Sequence, residues 1–165
     1  MTVTDELLEA AKAYQADFDK GDLPMPPGRQ IAVVACMDAR LNPYGLLGLT
    51  EGDAHVIRNA GGVVTDDVLR SLTISQRLLG TEEIVLIHHT DCGMLTFRDD
   101  DLKDRIESDT GQRPRWAPES FPEPEADVRQ SIARVESDPF LLHSTAVRGF
   151  VYDVGTGELR EVARV

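Results

Sequence analysis

The sequence predicts an α/β protein: a mostly parallel central β-sheet flanked by helices, preceded by an N-terminal helical arm. Three observations carry this reading. Two apolar runs, Ile31 to Cys36 and Ile84 to His88, have the length and the Ile/Val content of strands buried on both faces. Between them lies a helical pattern with clear start and stop signals, which is the strand and helix alternation of a parallel sheet. The first 28 residues stand outside that alternation, as one helical stretch and a proline-rich link.

In chain order, the arm comes first. From Thr4 to Phe18, Leu7, Leu8, Ala11, Tyr14 and Phe18 recur at helical spacing with acids between them, and Thr2 with Asp5 forms a capping box in front. The segment GDLPMPPG (21–28) admits no regular element and is stiff, so it holds the helix away from the body. A helix of this length is marginal alone in water, so its apolar stripe is expected to lie against another chain.

The body opens with the strand Ile31 to Cys36, followed by a loop containing NPYG (42–45), a short strand near Ala54 to Arg58 and the turn NAGG (59–62). A helix is predicted from Asp66 to Leu79, capped by Thr65 or Asp66 and stopped by Gly80, with Val68, Leu69, Leu72 and Leu79 on its apolar side. The strand Ile84 to His88 comes next. Ser108 to Glu125, rich in proline and poor in aliphatics, reads as a long loop anchored by Trp116 and Phe121. A helix from Ala126 to about Glu136 and a last strand, VRGFVYDV (147–154), turning at GTGE (155–158), complete a single domain over 1–165: arm and linker to residue 28, core from residue 29.

Composition narrows the function. With 29 acidic against 17 basic residues the net charge is −12, a surface that repels phosphate backbones and anionic lipid, so neither nucleic acid nor membrane is an expected partner. The opening MTVTDELLEA has neither the basic nor the apolar region of a secretory signal, and a cytoplasmic location is expected. In that reducing compartment the two cysteines, Cys36 and Cys92, are expected to bind metal or act in catalysis instead of pairing.

Their placement favours metal. Cys36 closes the first buried strand, and the second runs into HHTDCG (88–93), where His89 and Cys92 have H-x-x-C spacing. Ligands in parallel sheets gather at the carboxyl ends of strands, so both thiols and the imidazole fall on one edge. Two thiolates and one imidazole suit zinc, and three protein ligands leave one position open for chemistry. Two thiolates also offset the ion's charge, so a further proton acceptor is needed. Asp38, two residues past Cys36, is placed to accept the proton, and Arg40 can hold that carboxylate ionised. A thiol enzyme built on Cys36 fits less well, because the C-x₅-R phosphate loop is absent. His55 and His88 are read as hydrogen-bonded structural histidines.

The C-x-D-x-R of Cys36, Asp38 and Arg40, the H-x-x-C of His89 and Cys92, RNAGG (58–62) and the closing RGFVYDVGTGEL (148–159) together resemble the β-class carbonic anhydrases over nearly the whole chain. The resemblance implies one Zn²⁺ per chain on Cys36, His89 and Cys92, a catalytic dyad of Asp38 and Arg40, and reversible hydration of CO₂ to bicarbonate by attack of zinc hydroxide. It implies a homodimer with each cleft at the subunit interface, leaving open whether dimers pair into tetramers. Plant-type members donate to substrate oxygen from a glutamine before the first strand. Gln30 stands too near the strand for that, so the chain resembles the short bacterial branch, and the backbone N–H of Gly93 is the expected substrate-binding donor. A hydrolase of CS₂ or COS on the same zinc site and a non-catalytic zinc-binding dimer are the alternatives.

Overall fold

In a computed structural model describing residues 2–164, both apolar runs are strands near the middle of a five-stranded sheet. Strands β1 (Ile31–Cys36), β2 (Ala54–Asn59), β3 (Glu83–His89), β4 (Val147–Tyr152) and β5 (Leu159–Glu161) are ordered β2-β1-β3-β4-β5. The first four are parallel and β5 runs antiparallel to β4. After β1 the chain steps to one side to make β2 and returns on the other side to make β3. The space beyond the carboxyl ends of β1 and β3 is therefore the point where strand order reverses, the crevice in which open α/β sheets bind ligands. Register sets the level of that edge: Cys36 lies opposite Asn59, Ala35 opposite Ile87 and His89 opposite Tyr152.

The two faces of the sheet are covered differently. On one, Ala32, Val34, Ile84 and Leu86 pack against Val68 and Leu72 of helix α3 (Asp66–Leu79) and Val128, Ile132 and Val135 of helix α5 (Pro124–Glu136). On the other, Val33, Ala35, Cys36 and Ile87 pack with Leu41, Val63, Cys92, Met94 and Phe121, all contributed by loops and short turns. Helix α3 has the predicted bounds: the Thr65 hydroxyl accepts from the Val68 N–H, and Gly80 ends it in the left-handed conformation at φ 72°.

Helix α1 (Val3–Ala16) carries the predicted capping box, and every residue from Thr2 to Pro26 is exposed. The arm does not fold back into this chain's core. Its tether is polar, with Tyr14 and Lys20 both donating to Glu51.

Several elements differ from expectation. The NPYG loop contains a short helix, α2 (Pro43–Leu47), because Asn42 caps it by accepting from the Gly45 N–H and Pro43 suits its first position. Residues 99–107, to which the sequence reading gave no element, form helix α4 (Asp99–Thr110) together with the first residues of the expected loop, and that loop starts at Gly111, which ends the helix at φ 76°, instead of at Ser108. Its sequence DDDLKDRIESDT has too few apolar residues to show a helical period. The loop is fixed by charge: Arg113 pairs with Asp100, Asp104 and Glu107, and the Asp99 carboxylate accepts from the N–H groups of Glu119 and Ser120. Phe121 is a buried anchor, but Trp116 is 57% exposed instead of buried. The final strand stops at Tyr152, since Asp153 begins the turn that leads into β5.

Candidate metal centre

Cys36 is the last residue of β1, and the chain turns sharply after it. The Met37 N–H donates to the Asn59 carbonyl (2.8 Å), extending the ladder by one residue, and the Leu41 N–H donates to the Asp38 carbonyl (3.1 Å) to close the turn. Arg58 clamps this turn from β2: Nε and Nη2 donate to the Cys36 carbonyl at 2.9 and 2.7 Å, and Nη2 also to the Asp38 carbonyl at 2.7 Å. Beneath it passes Gly62 at φ 70°, where an added Cβ would stand 2.8 Å from the Cys36 nitrogen and 2.9 Å from the Ile87 oxygen. That contact is with backbone on two strands, so the second glycine of RNAGG is a condition for seating Cys36.

On the neighbouring strand, His89 ends β3. The Thr90 N–H donates to the Tyr152 carbonyl (2.9 Å), and the Thr90 hydroxyl accepts from the Val154 N–H (3.1 Å). Cys92 follows at the entrance of a tight turn whose Leu95 N–H donates to the Cys92 carbonyl (3.0 Å). The space beside Gly93 is open, since a Cβ added there would meet nothing within 4 Å.

These two loops bring the three predicted ligands together. Cys36, His89 and Cys92 are all buried, and their ligand atoms lie within 4.8 Å of one another, with the two sulfurs 3.9 Å apart. The imidazole tautomer is set by its neighbour. Nδ1 of His89 lies 2.8 Å from the Thr90 carbonyl, which can only accept, so Nδ1 carries the proton and Nε2 keeps its lone pair. That Nε2 is buried without a hydrogen-bond partner among the described residues. An unpartnered imidazole nitrogen close to two thiols, with the far side of the ring fixed by a carbonyl, is the arrangement of a zinc-ligating histidine.

The electrostatics agree. The Cys36 and Cys92 thiols share a proton, which pushes Cys36 down and Cys92 up, so negative charge on one sulfur is favoured. Burial opposes a charge on His89, yet the Cys36 sulfur, the Thr90 carbonyl and Asp38 together raise its affinity for a proton. The field at the centre of the group thus favours a cation.

Asp38 and Arg40 lie beside it. Arg40 Nε donates to Asp38 Oδ1 at 3.0 Å and Nη2 to Oδ2 at 2.8 Å, while the Arg40 backbone N–H donates to Oδ1 at 2.8 Å. These bonds hold the carboxyl far below the usual carboxylate range. Asp38 Oδ2 sits 3.7 Å from His89 Nε2. The remaining histidines are elsewhere: His88 donates through Nε2 to Asp127 (2.6 Å), and His55 Nδ1 bonds the Ser75 hydroxyl (2.7 Å). Gln30 is at the opposite end of the sheet, where its carbonyl accepts from the Glu82 N–H just ahead of β3. The sequence reading gave no role to Arg58, which it named only within RNAGG, or to Asp91. Each works by contacts with backbone or with another loop, which no local spacing announces.

A family model described as carbonic anhydrase matches residues 31–159, a span that contains every residue of this site. The chain is 64% identical over 162 residues to beta-carbonic anhydrase 1 of Mycobacterium tuberculosis, covering 98% of this chain and 99% of that protein. It belongs to the β-class carbonic anhydrases. The family fold is evident in the crystal structure of carbonic anhydrase from Streptococcus mutans, which superposes with a TM-score of 0.92 at 41% identity and covers 99% of each chain. Relatives of this carbonic anhydrase extend to a carbon disulfide hydrolase of Acidithiobacillus thiooxidans, 37% identical over 156 residues, or 82% of this chain and 78% of that protein.

Proposed function

We propose that the chain catalyses the reversible hydration of CO₂ to bicarbonate and a proton, with one zinc ion held by Cys36, His89 and Cys92. The observation that carries this is the buried, unpartnered Nε2 of His89 between two buried thiols, beside an ionised Asp38. A bound zinc ion supplies Lewis acidity that makes hydroxide available near neutral pH. The protein supplies the rest. Asp38 Oδ2, close to the ligand cluster, accepts the proton released from water and passes it outward. Arg40 keeps that carboxylate ionised and oriented through two parallel hydrogen bonds. Gly93 follows the ligand Cys92 and has open space beside it, which supports reading its N–H as the donor to a substrate oxygen as charge develops there.

Two further readings accompany this one. The exposed apolar side chains of α1, Val3, Leu7, Leu8 and Tyr14, are covered by a second copy of the chain, making a homodimer. The protein works in the cytoplasm, where Cys36 and Cys92, both free thiols, stay reduced and available to metal.

The test is metal analysis with CO₂ hydration and CS₂ hydrolysis assays on one preparation. We expect one zinc per chain and CO₂ hydration as the dominant activity. CS₂ hydrolysis without CO₂ hydration would move the chain to the activity of its more distant relative.

A further inference from the structure

The dyad has a third member. Arg40 has five N–H donors, and Asp38 takes only two of them by side chain. Two others reach across to the loop after β3: Nη1 donates to Asp91 Oδ2 at 2.7 Å, and Nη2 to the Asp91 carbonyl at 2.9 Å. Asp91 stands between the ligands His89 and Cys92, 51 residues further along the chain. It lies in the left-handed region at φ 53°, one of three non-glycine residues in the described chain with positive φ. In that conformation its carboxylate and its carbonyl both face Arg40. Aspartate tolerates it better than most residues do.

An exposed ion pair of this kind adds little stability, because both groups are solvated. Asp91 is largely exposed, and Arg40 about half so. Its effect is on position. Held only by Asp38, the Arg40 side chain could shift together with the carboxylate about the one other tie they have, the Arg40 backbone N–H on Oδ1. Held also by Asp91, it is pinned to the loop that carries two of the three ligands, and the Asp38 carboxylate is pinned with it, 3.7 Å from His89 Nε2.

We propose that Asp91 is a positioning residue, which through Arg40 fixes the Asp38 carboxylate beside the ligand cluster and keeps it from turning into the metal position. This rests on the reading of Asp38 as proton acceptor.

The test uses the zinc-loaded protein and four variants. Asp91→Gly keeps the left-handed conformation and the backbone carbonyl but removes the carboxylate. Asp91→Asn keeps a side-chain acceptor and also tolerates positive φ. Second-layer partners of metal sites are commonly worth 10- to 100-fold. We expect Asp91→Gly to retain full zinc and lose about tenfold in kcat/KM, with Asp91→Asn recovering to within about threefold of the starting protein. The readout independent of activity is hydrogen exchange at Arg40 Nε–H, followed by NMR and assigned by its loss in Arg40→Lys. Exchange should speed in Asp91→Gly, in step with the lost rate, and return toward normal in Asp91→Asn. Unchanged exchange and rate in Asp91→Gly, with Asp38→Asn strongly impaired, would overturn the role of Asp91 alone. Loss of zinc in Asp91→Gly would also overturn it, by showing that the residue holds the ligand loop itself. An unimpaired Asp38→Asn would instead remove the reading on which the proposal rests.

Discussion

Strand β1 and helix α1 both place apolar residues at regular spacing, yet Ala32, Val33, Val34 and Ala35 are completely buried while every residue of α1 is exposed. The difference lies in what each segment has within its own chain. Strand β1 is hydrogen-bonded on both sides and packed on both faces, so its end point is fixed by several neighbours at once. Helix α1 has a capping box and a polar tether to Glu51, but among the described residues none buries its apolar stripe. The comparison teaches that the candidate metal centre is built on the part of the chain that packs against itself, whereas the arm forms its helix but leaves the apolar side chains exposed.

The strongest way to break that contrast is to remove a ligand from the region that packs against itself. Cys36→Ser should leave the fold intact and abolish both zinc retention and hydration, because a hydroxyl is a poor replacement for a thiolate. Metal analysis beside circular dichroism reads this directly, and a zinc-replete, active variant would refute the ligand assignment. Asp38→Asn sharpens the same point by separating metal from proton transfer. Zinc should be retained while kcat falls roughly 100-fold, the usual scale for a positioned proton acceptor.

Gly62→Ala probes the scaffold below the centre. The added methyl would overlap the backbone of β1 and β3 at a left-handed position, so unfolding titrations should show a loss of about 2–4 kcal/mol. A variant as stable as the starting protein would mean that the Cys36 turn is looser than its contacts imply. Deletion of residues 1–20 should have the smallest effect on chemistry. The site would keep its zinc, while sedimentation should show a weakened dimer and the assay a loss of activity of severalfold. A fully dimeric, fully active truncated protein would show that the arm is dispensable to assembly.

Legibility in the sequence followed the same division. The strands that matter most were readable to within a residue or two, because residues buried on both faces of a parallel sheet leave unbroken apolar runs. Helix α3 was readable at both ends from Thr65 and Gly80, whose conformations need no distant partner. Helix α4 was not, since it buries no residue and its mostly polar sequence carries little apolar period. Trp116 misled for the opposite reason: an aromatic ring in a loop suggests an anchor, but salt bridges from Arg113 hold that loop instead.

By itself the sequence determined which side chains meet at the site, because Cys36 and His89 close buried strands, Cys92 follows three residues on, and ligands gather at the carboxyl ends of parallel strands where strand order reverses. Only the tertiary structure decided how that chemistry is aimed. The tautomer of His89, the clamp of Arg58 on two carbonyls and the grip of Asp91 on Arg40 depend on which backbone groups the register brings within 3 Å, across separations of up to 51 residues. Periodicity and spacing report a segment's own burial. A hydrogen bond between two loops leaves no mark on either.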